Sequence, residues 1–169
     1  MPEKQTKERA RKDARQGKAL STQAGEFVRE EMEHIREGKH GARSAKQAIA
    51  IGLSKARRAG VKLSPPAKGK VSERTRQNAT HDYLKGQSAG TRKPSRTRSH
   101  AIIGALQREG QSAASPRALS RHARASAEKR GKAARSRSAL KAVRTKGRAR
   151  LRLAARKAAR TRIARLRMN

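Results

Sequence analysis

Forty-six lysines and arginines stand against twelve aspartates and glutamates in this chain, a formal net charge of +34 over 169 residues, and nothing else in the sequence constrains its folding as strongly. That balance is far outside what an ordinary soluble domain tolerates without a polyanionic partner. Arginine supplies 29 of the cations and lysine 17, which favours the flat guanidinium fork that meets phosphate bidentately and stacks on bases. The implied partner is nucleic acid.

The apolar inventory does not rescue a large core. There is one Phe, one Tyr and no Trp, and alanine makes up much of the hydrophobic third. Low hydrophobicity with high net charge predicts a mainly α chain with extensive disorder when free: short helical hairpins joined by basic linkers, and no sheet. The absence of cysteine excludes disulfides and thiolate chemistry. The start, Met1-Pro2-Glu3-Lys4, lacks the apolar stretch of a signal peptide, and no run of about eighteen apolar residues exists to span a bilayer. The location expected is cytoplasmic, in association with a bacterial nucleoid.

Five segments follow from the pattern. Residues 1–20 read as a solvated, mixed-charge arm. Residues 21–60 read as a helical hairpin. Its first helix starts from a Ser21 or Thr22 cap, carries Ala24, Phe27, Val28, Met32 and Ile35 at helical spacing, and stops at Gly38. Its second starts at Ala45 behind a capping box, Ser44 to Gln47, and lines one face with Ala45, Ala48, Ile49, Gly52, Leu53 and Ala56 before Gly60. Such a hairpin also offers a surface for oligomerisation. Residues 61–98 read as a basic linker containing Pro65-Pro66, with Tyr83 and Leu84 too isolated to imply a core. Residues 99–131 read as a second, thinner helical pair, built on Ile102, Ile103 and Leu106 and then opened again by Ser115-Pro116. Residues 132–169 form a tail rich in arginine and alanine that is expected to become helical on binding.

The first helix is acidic, with Glu26, Glu30, Glu31, Glu33 and Glu37 on what reads as its outer face. These carboxylates suit either a docking face for basic segments or a solvated face carrying internal Glu–Arg pairs. Candidate phosphate contacts lie elsewhere. Lys46, Lys55, Arg57 and Arg58 stand on the far side of the second hairpin helix, and Lys39 and Arg43 stand at its N-terminus, where free backbone N–H groups already favour an anion. Alanine and isoleucine occupy the positions where a base-reading helix would show Asn, Gln or Arg, which points to backbone contact rather than base readout. Arg92, Lys93, Arg96 and Arg98 form a basic tract of the kind that follows phosphates or a minor groove, though a solvated charge run has the same composition. In the tail, Arg144, Arg148, Arg152, Arg156 and Arg160 are candidate contacts, and a narrow stripe of Leu151, Ala155, Ala159, Ile163 and Leu166 predicts a helix over 148–167 once phosphate neutralises it.

Two stretches carry a resemblance. One is the run from Glu37 to Gly60, Glu-Gly-Lys-His-Gly-Ala-Arg-Ser-Ala-Lys-Gln-Ala-Ile-Ala-Ile-Gly-Leu-Ser-Lys-Ala-Arg-Arg-Ala-Gly. The other is Ala-Leu-Gln-Arg-Glu-Gly at 105–110 followed by Arg-Ala-Leu-Ser-Arg at 117–121. Together they resemble small basic bacterial proteins labelled plasmid-stabilisation or DNA-binding proteins, an uncharacterised family. The resemblance implies a bacterial origin and a DNA-associated role, and it brings no catalytic residues.

No constellation for catalysis emerges. The five histidines, at 34, 40, 81, 100 and 122, show no paired ligand spacing, so no metal site and no cofactor are expected. Ser126 and Lys129 match a Ser-x-x-Lys spacing inside a tract where such matches arise by chance. A non-enzymatic, sequence-tolerant DNA-binding protein is therefore the leading expectation, acting by phosphate neutralisation to compact or bridge DNA, with no small-molecule substrate. An RNA- or ribosome-associated protein is the alternative, since arginine-rich segments that fold on RNA share this composition. A protein lying on anionic membrane through an amphipathic helix is the second alternative.

Overall fold

The computed structural model describes residues 2–88 and 95–167, with side chains to Ala164. Six α-helices follow in order: α1 (Lys4–Arg15), α2 (Leu20–Arg36), α3 (Ala45–Arg58), α4 (Glu73–Gln87), α5 (Arg96–Gln107) and α6 (Pro116–Arg167), with a 3-10 turn at Ser112–Ala114 before α6. No strand occurs among the described residues. The chain falls into two units, Met1–His122 and Ala123–Asn169. No helix among the described residues is long and apolar enough to cross a membrane.

The hairpin read from the sequence is the centre of the first unit. On α2 the residues Ala24, Phe27, Met32 and Ile35 are buried, and on α3 Ala45, Ala48, Gly52 and Ala56. Burying Phe27 and Ile35 completely contributes about 1.5–3 kcal/mol each, whereas the alanines contribute chiefly by letting the helices approach. The helix start lies earlier than expected: Leu20 follows an Ala19 cap that supplies no side-chain bond, so neither Ser21 nor Thr22 caps α2. Its end matches the reading. Gly38 takes φ +74°, its N–H donates to the Ile35 carbonyl, and the Lys39 N–H donates to that of His34, which satisfies two otherwise free carbonyls. At the start of α3 the Ser44 hydroxyl accepts from Gln47 N at 3.2 Å, while Gln47 Oε1 accepts from the Arg43 N–H at 2.9 Å.

Two segments expected to be unstructured are helical. The arm at 1–20 contains α1, which packs on α2 through Thr6, Ala10 and Asp13. The linker at 61–98 contains α4, which packs on α3 through Ala79 and Asp82. In both cases one buried alanine and one or two polar groups replace the apolar stripe that a periodicity reading looks for. Ser72 caps α4 by accepting from Thr75 N.

The second helical pair has no core of its own. Nothing in α5 is buried, and Ile102 and Ile103 are exposed. Instead Ala113 and Ala114 of the 3-10 turn join Met32, Ile35, Ala42 and Ala48 in the hairpin core, with Leu119 against them. Backbone bonds fasten this closure: Gly41 N donates to Leu106 O and Ala42 N to Gly110 O. Arg36 Nε donates to Ala114 O at 3.1 Å. Ser115 and Pro116 open α6 as the sequence indicated, Ser115 Oγ accepting from Ala118 N.

The expected extensive disorder gives way to helix. Alanine and arginine are strong helix formers, and a helix satisfies its backbone without a core. Within α6, Gly131 and Gly147 both adopt φ +71°, a left-handed conformation that side chains disfavour, so helical runs at 116–130, 132–146 and 148–167 are separated at these two glycines.

Gly52 marks a close approach of α3 to α2, since a Cβ there would lie 2.6 Å from Val28 Cα. Gly52→Val is expected to destabilise by about 1–3 kcal/mol in urea unfolding followed by circular dichroism. Gly25→Ala, on the open side of α2 where a Cβ meets nothing within 4 Å, is expected to stabilise by about 0.5–1 kcal/mol.

Candidate nucleic-acid interface

The interface is defined by which cations the protein keeps for itself. Glu31 lies four residues from both Phe27 and Ile35, so helical geometry puts it on the buried stripe of α2. It is fully buried, and Glu30 is 2 % exposed. The reading of these two as outer-face carboxylates is thus corrected. Isolated buried carboxylates are costly, and Lys55 of α3 answers both, with Nζ 2.6 Å from Glu31 Oε2 and 3.6 Å from Glu30 Oε1. The Glu3 N–H also donates to Glu30 Oε2 at 3.2 Å. Around this centre Arg9 pairs with Glu26, Arg29 with Glu33, and Lys18 with Asp13. Among the described residues, every acid of residues 1–109 except Glu8 takes part in an ion pair.

Most cations expected around α3 are engaged in the same way. Lys55 is taken up by Glu30 and Glu31. Arg57 is buried and donates to the carbonyls of Leu63 and Ser64, tying down the chain after α3; burial pushes its guanidinium below its ordinary pKa, with Asp82 opposing. These two do not face outward, because the packing of α3 against α2 and α4 encloses them. Arg58 donates to Asp82 of α4, whose other oxygen accepts from Ser54. Arg43 lies 3.6 Å from Glu109 and Lys39 2.9 Å from Glu37. The hydrogen bond with Glu37, then the charges of Glu37 and Glu3, hold the Lys39 ammonium above its ordinary value. At the α3 N-terminus the Ser44 and Gln47 side chains already occupy the N–H groups of Gln47 and Arg43. Only Lys46 of this group is exposed without an ion pair among the described residues.

Beyond α4 the arrangement changes. Arg92 and Lys93 lie outside the described residues. Arg96 and Arg98 are exposed in the first turn of α5. Within α6 every lysine and arginine from Arg117 to Arg162 is exposed, Arg144, Arg148, Arg152, Arg156 and Arg160 among them. Glu128 is the only acid after Glu109. The acids from Glu3 to Glu109 find their ion-pair partners within that same stretch. From Arg148 to Arg160 the four-residue spacing sets successive guanidiniums about 6 Å apart along one side of a helix.

Residues 16–68 match a family of unknown function (DUF6496), which covers α2, α3 and the chain to either side. This corrects the resemblance drawn from the sequence: the matching family carries no plasmid-stabilisation or DNA-binding label. No curated protein and no solved structure matches the chain.

Removing the Lys55 ammonium would strand two buried carboxylates. Lys55→Met is expected to cost roughly 3 kcal/mol or more in denaturant unfolding. The double variant Lys55→Met with Glu31→Gln should recover part of that loss, because one of the two charges is removed with its partner.

Proposed function

We propose that the protein is a non-enzymatic, sequence-tolerant DNA-binding protein whose principal contact surface is the α6 tail, with Arg96, Arg98 and Lys46 as supplementary contacts. One observation carries this reading: acids pair with the cations of residues 1–109, while residues 110–169 hold 20 lysines and arginines against Glu128 alone. An array of this density, exposed at every lysine and arginine from Arg117 to Arg162 and with one acid among them, is a polyanion-binding surface. Duplex DNA presents one charge per about 1.7 Å of axis, so guanidiniums spaced about 6 Å apart each find a phosphate without any demand on sequence. Breaks at Gly131 and Gly147 divide the array into short helical rods, which suits a curved or irregular backbone better than one rigid rod.

DNA is favoured over single-stranded nucleic acid because the tail carries no aromatic side chain on which unpaired bases stack. Nothing in α6 presents Asn or Gln toward base edges within its described side chains, in keeping with phosphate contact as the source of affinity. Coating, bridging or compaction of a nucleoid or other DNA follows as the biological role of such a surface.

The test is the salt dependence of binding to a random-sequence duplex. Contact with eight phosphates gives a slope of log affinity against log salt near minus seven. Substituting Arg148, Arg152, Arg156 and Arg160 together with Gln is expected to shallow that slope by about 3.6, at about 0.9 for each phosphate no longer neutralised. A slope unchanged by the four substitutions, or tighter binding to duplex RNA than to DNA at equal salt, would overturn the reading.

A further inference from the structure

We propose that Glu31, His34 and His40 form a binding site for a divalent transition-metal ion, with zinc as the best fit. The sequence conceals the group because its members belong to different local structures. Glu31 and His34 lie one turn apart on α2 and share a face. The left-handed Gly38 then turns the chain back, which returns His40 to that face from the loop before α3. A ring nitrogen from each imidazole and a carboxylate oxygen of Glu31 all lie within 4.8 Å of one another. The side chains of His34 and His40 are 13 % and 14 % exposed, so the group is sheltered but reachable from solvent.

The second observation is the state of Glu31. Both of its oxygens are buried, and neither has a hydrogen bond of good geometry. Lys55 Nζ lies against Oε2 at 2.6 Å, while Oε1 points toward His40 Nε2 at 3.3 Å. His40 Nδ1 lies 3.1 Å from the Gly41 carbonyl. A carbonyl only accepts, so Nδ1 carries a proton, and Nε2 is the nitrogen left to face Glu31. Two acceptor atoms do not face each other bare, so between Nε2 and the buried carboxylate oxygen stands a proton, on the ring or on the carboxyl, or a metal ion. On the other histidine, Glu3 Oε1 lies 2.9 Å from Nε2 and fixes the ring, the outer support that metal-ligating imidazoles commonly have.

Two imidazoles and one carboxylate form a donor set for zinc and its neighbours in the first transition row, whereas magnesium and calcium take oxygen donors. With bonds near 2.0–2.2 Å, tetrahedral ligand atoms stand about 3.3 Å apart, so metal binding would draw in the three donor atoms, which lie within 4.8 Å of one another. Three protein ligands leave one position for water. The ion would fasten the 37–43 loop onto α2 and supply the positive charge that Glu31 Oε1 lacks.

The experiment is calorimetric titration of zinc chloride into the full chain, carrying no histidine tag, freed of nucleic acid and stripped with chelator. One zinc per chain is expected, with no response to magnesium. His40→Gln should weaken binding at least about tenfold, while His81→Gln, on an exposed ring of α4, should leave it unchanged. Cobalt in place of zinc should give the visible absorption of a tetrahedral nitrogen and oxygen site in the parent chain and in His81→Gln, but not in His40→Gln. Matched far-ultraviolet circular dichroism of the metal-free proteins separates ligand loss from unfolding. If zinc binds weakly at several sites, or binds His40→Gln as tightly as the parent, the proposal is overturned and a proton is the cation between His40 and Glu31.

Discussion

The pairing of Lys55 with the buried carboxylates of Glu30 and Glu31 is the interaction on which the rest of the first unit depends. Its apolar core is too slight to organise the helices, since only Phe27, Ile35 and Met32 are large and the remainder is mostly alanine. Charge chooses the neighbours instead. Helix α2 carries the acids; α3 meets it with Lys55, α1 with Arg9 and the Glu3 N–H, and Asp82 of α4 meets α3 at Arg58. Removing water from these groups is unfavourable, so the arrangement is specific as much as it is stable: a helix docked in another register would bury the same carboxylates without a partner.

That solution exhausts the acids. Of the net +34, residues 1–109 carry +15 (26 basic against 11 acidic) and residues 110–169 carry +19 (20 against 1). The second stretch therefore cannot build a comparable unit, and it settles for the structure that needs no counter-charge to satisfy its backbone, an alanine- and arginine-rich helix. Like charges four residues apart oppose that helix by a few tenths of a kcal/mol each, a strain that any polyanion relieves. Acids thus counter part of the positive charge before α6 and almost none of it within α6.

How much of this was legible depended on the kind of signal. The α2–α3 hairpin was readable because Ala24, Phe27, Val28, Met32 and Ile35 repeat at helical spacing, and because Gly38, Ser44 and Ser115-Pro116 are termini with a physical mechanism. Helices α1 and α4 were not, since they are held by Ala10 and Thr6, or by Ala79 and Asp82, and a polar group buried through its partner leaves no periodic trace. The same limit hid the roles of Lys55 and Arg57, which read as outward-facing cations until the acceptors opposite them were placed. Glu31 did leave a signal, its four-residue register with Phe27 and Ile35, but a run of glutamates reads as solvated by default. The grouping of His34 and His40 required the turn at Gly38, which no spacing rule encodes.

The division between buried and exposed charge also settles how ionic strength must act on the two parts. At physiological salt the Debye length is about 8 Å, so exposed charges are screened and buried ones barely feel it. In the first unit, salt weakens surface pairs such as Arg29–Glu33 and Glu73–Arg76 most, and weakens the contact of the partly exposed Lys55 with the buried Glu31 less. In the tail there is almost nothing attractive to weaken, and screening removes repulsion between neighbouring guanidiniums. Added salt therefore favours the free tail helix while it opposes attachment to a polyanion. The acids that hold the first unit, Glu30, Glu31 and Asp82, are buried, so ionic strength acts on its fold less than on the exposed charges of the tail.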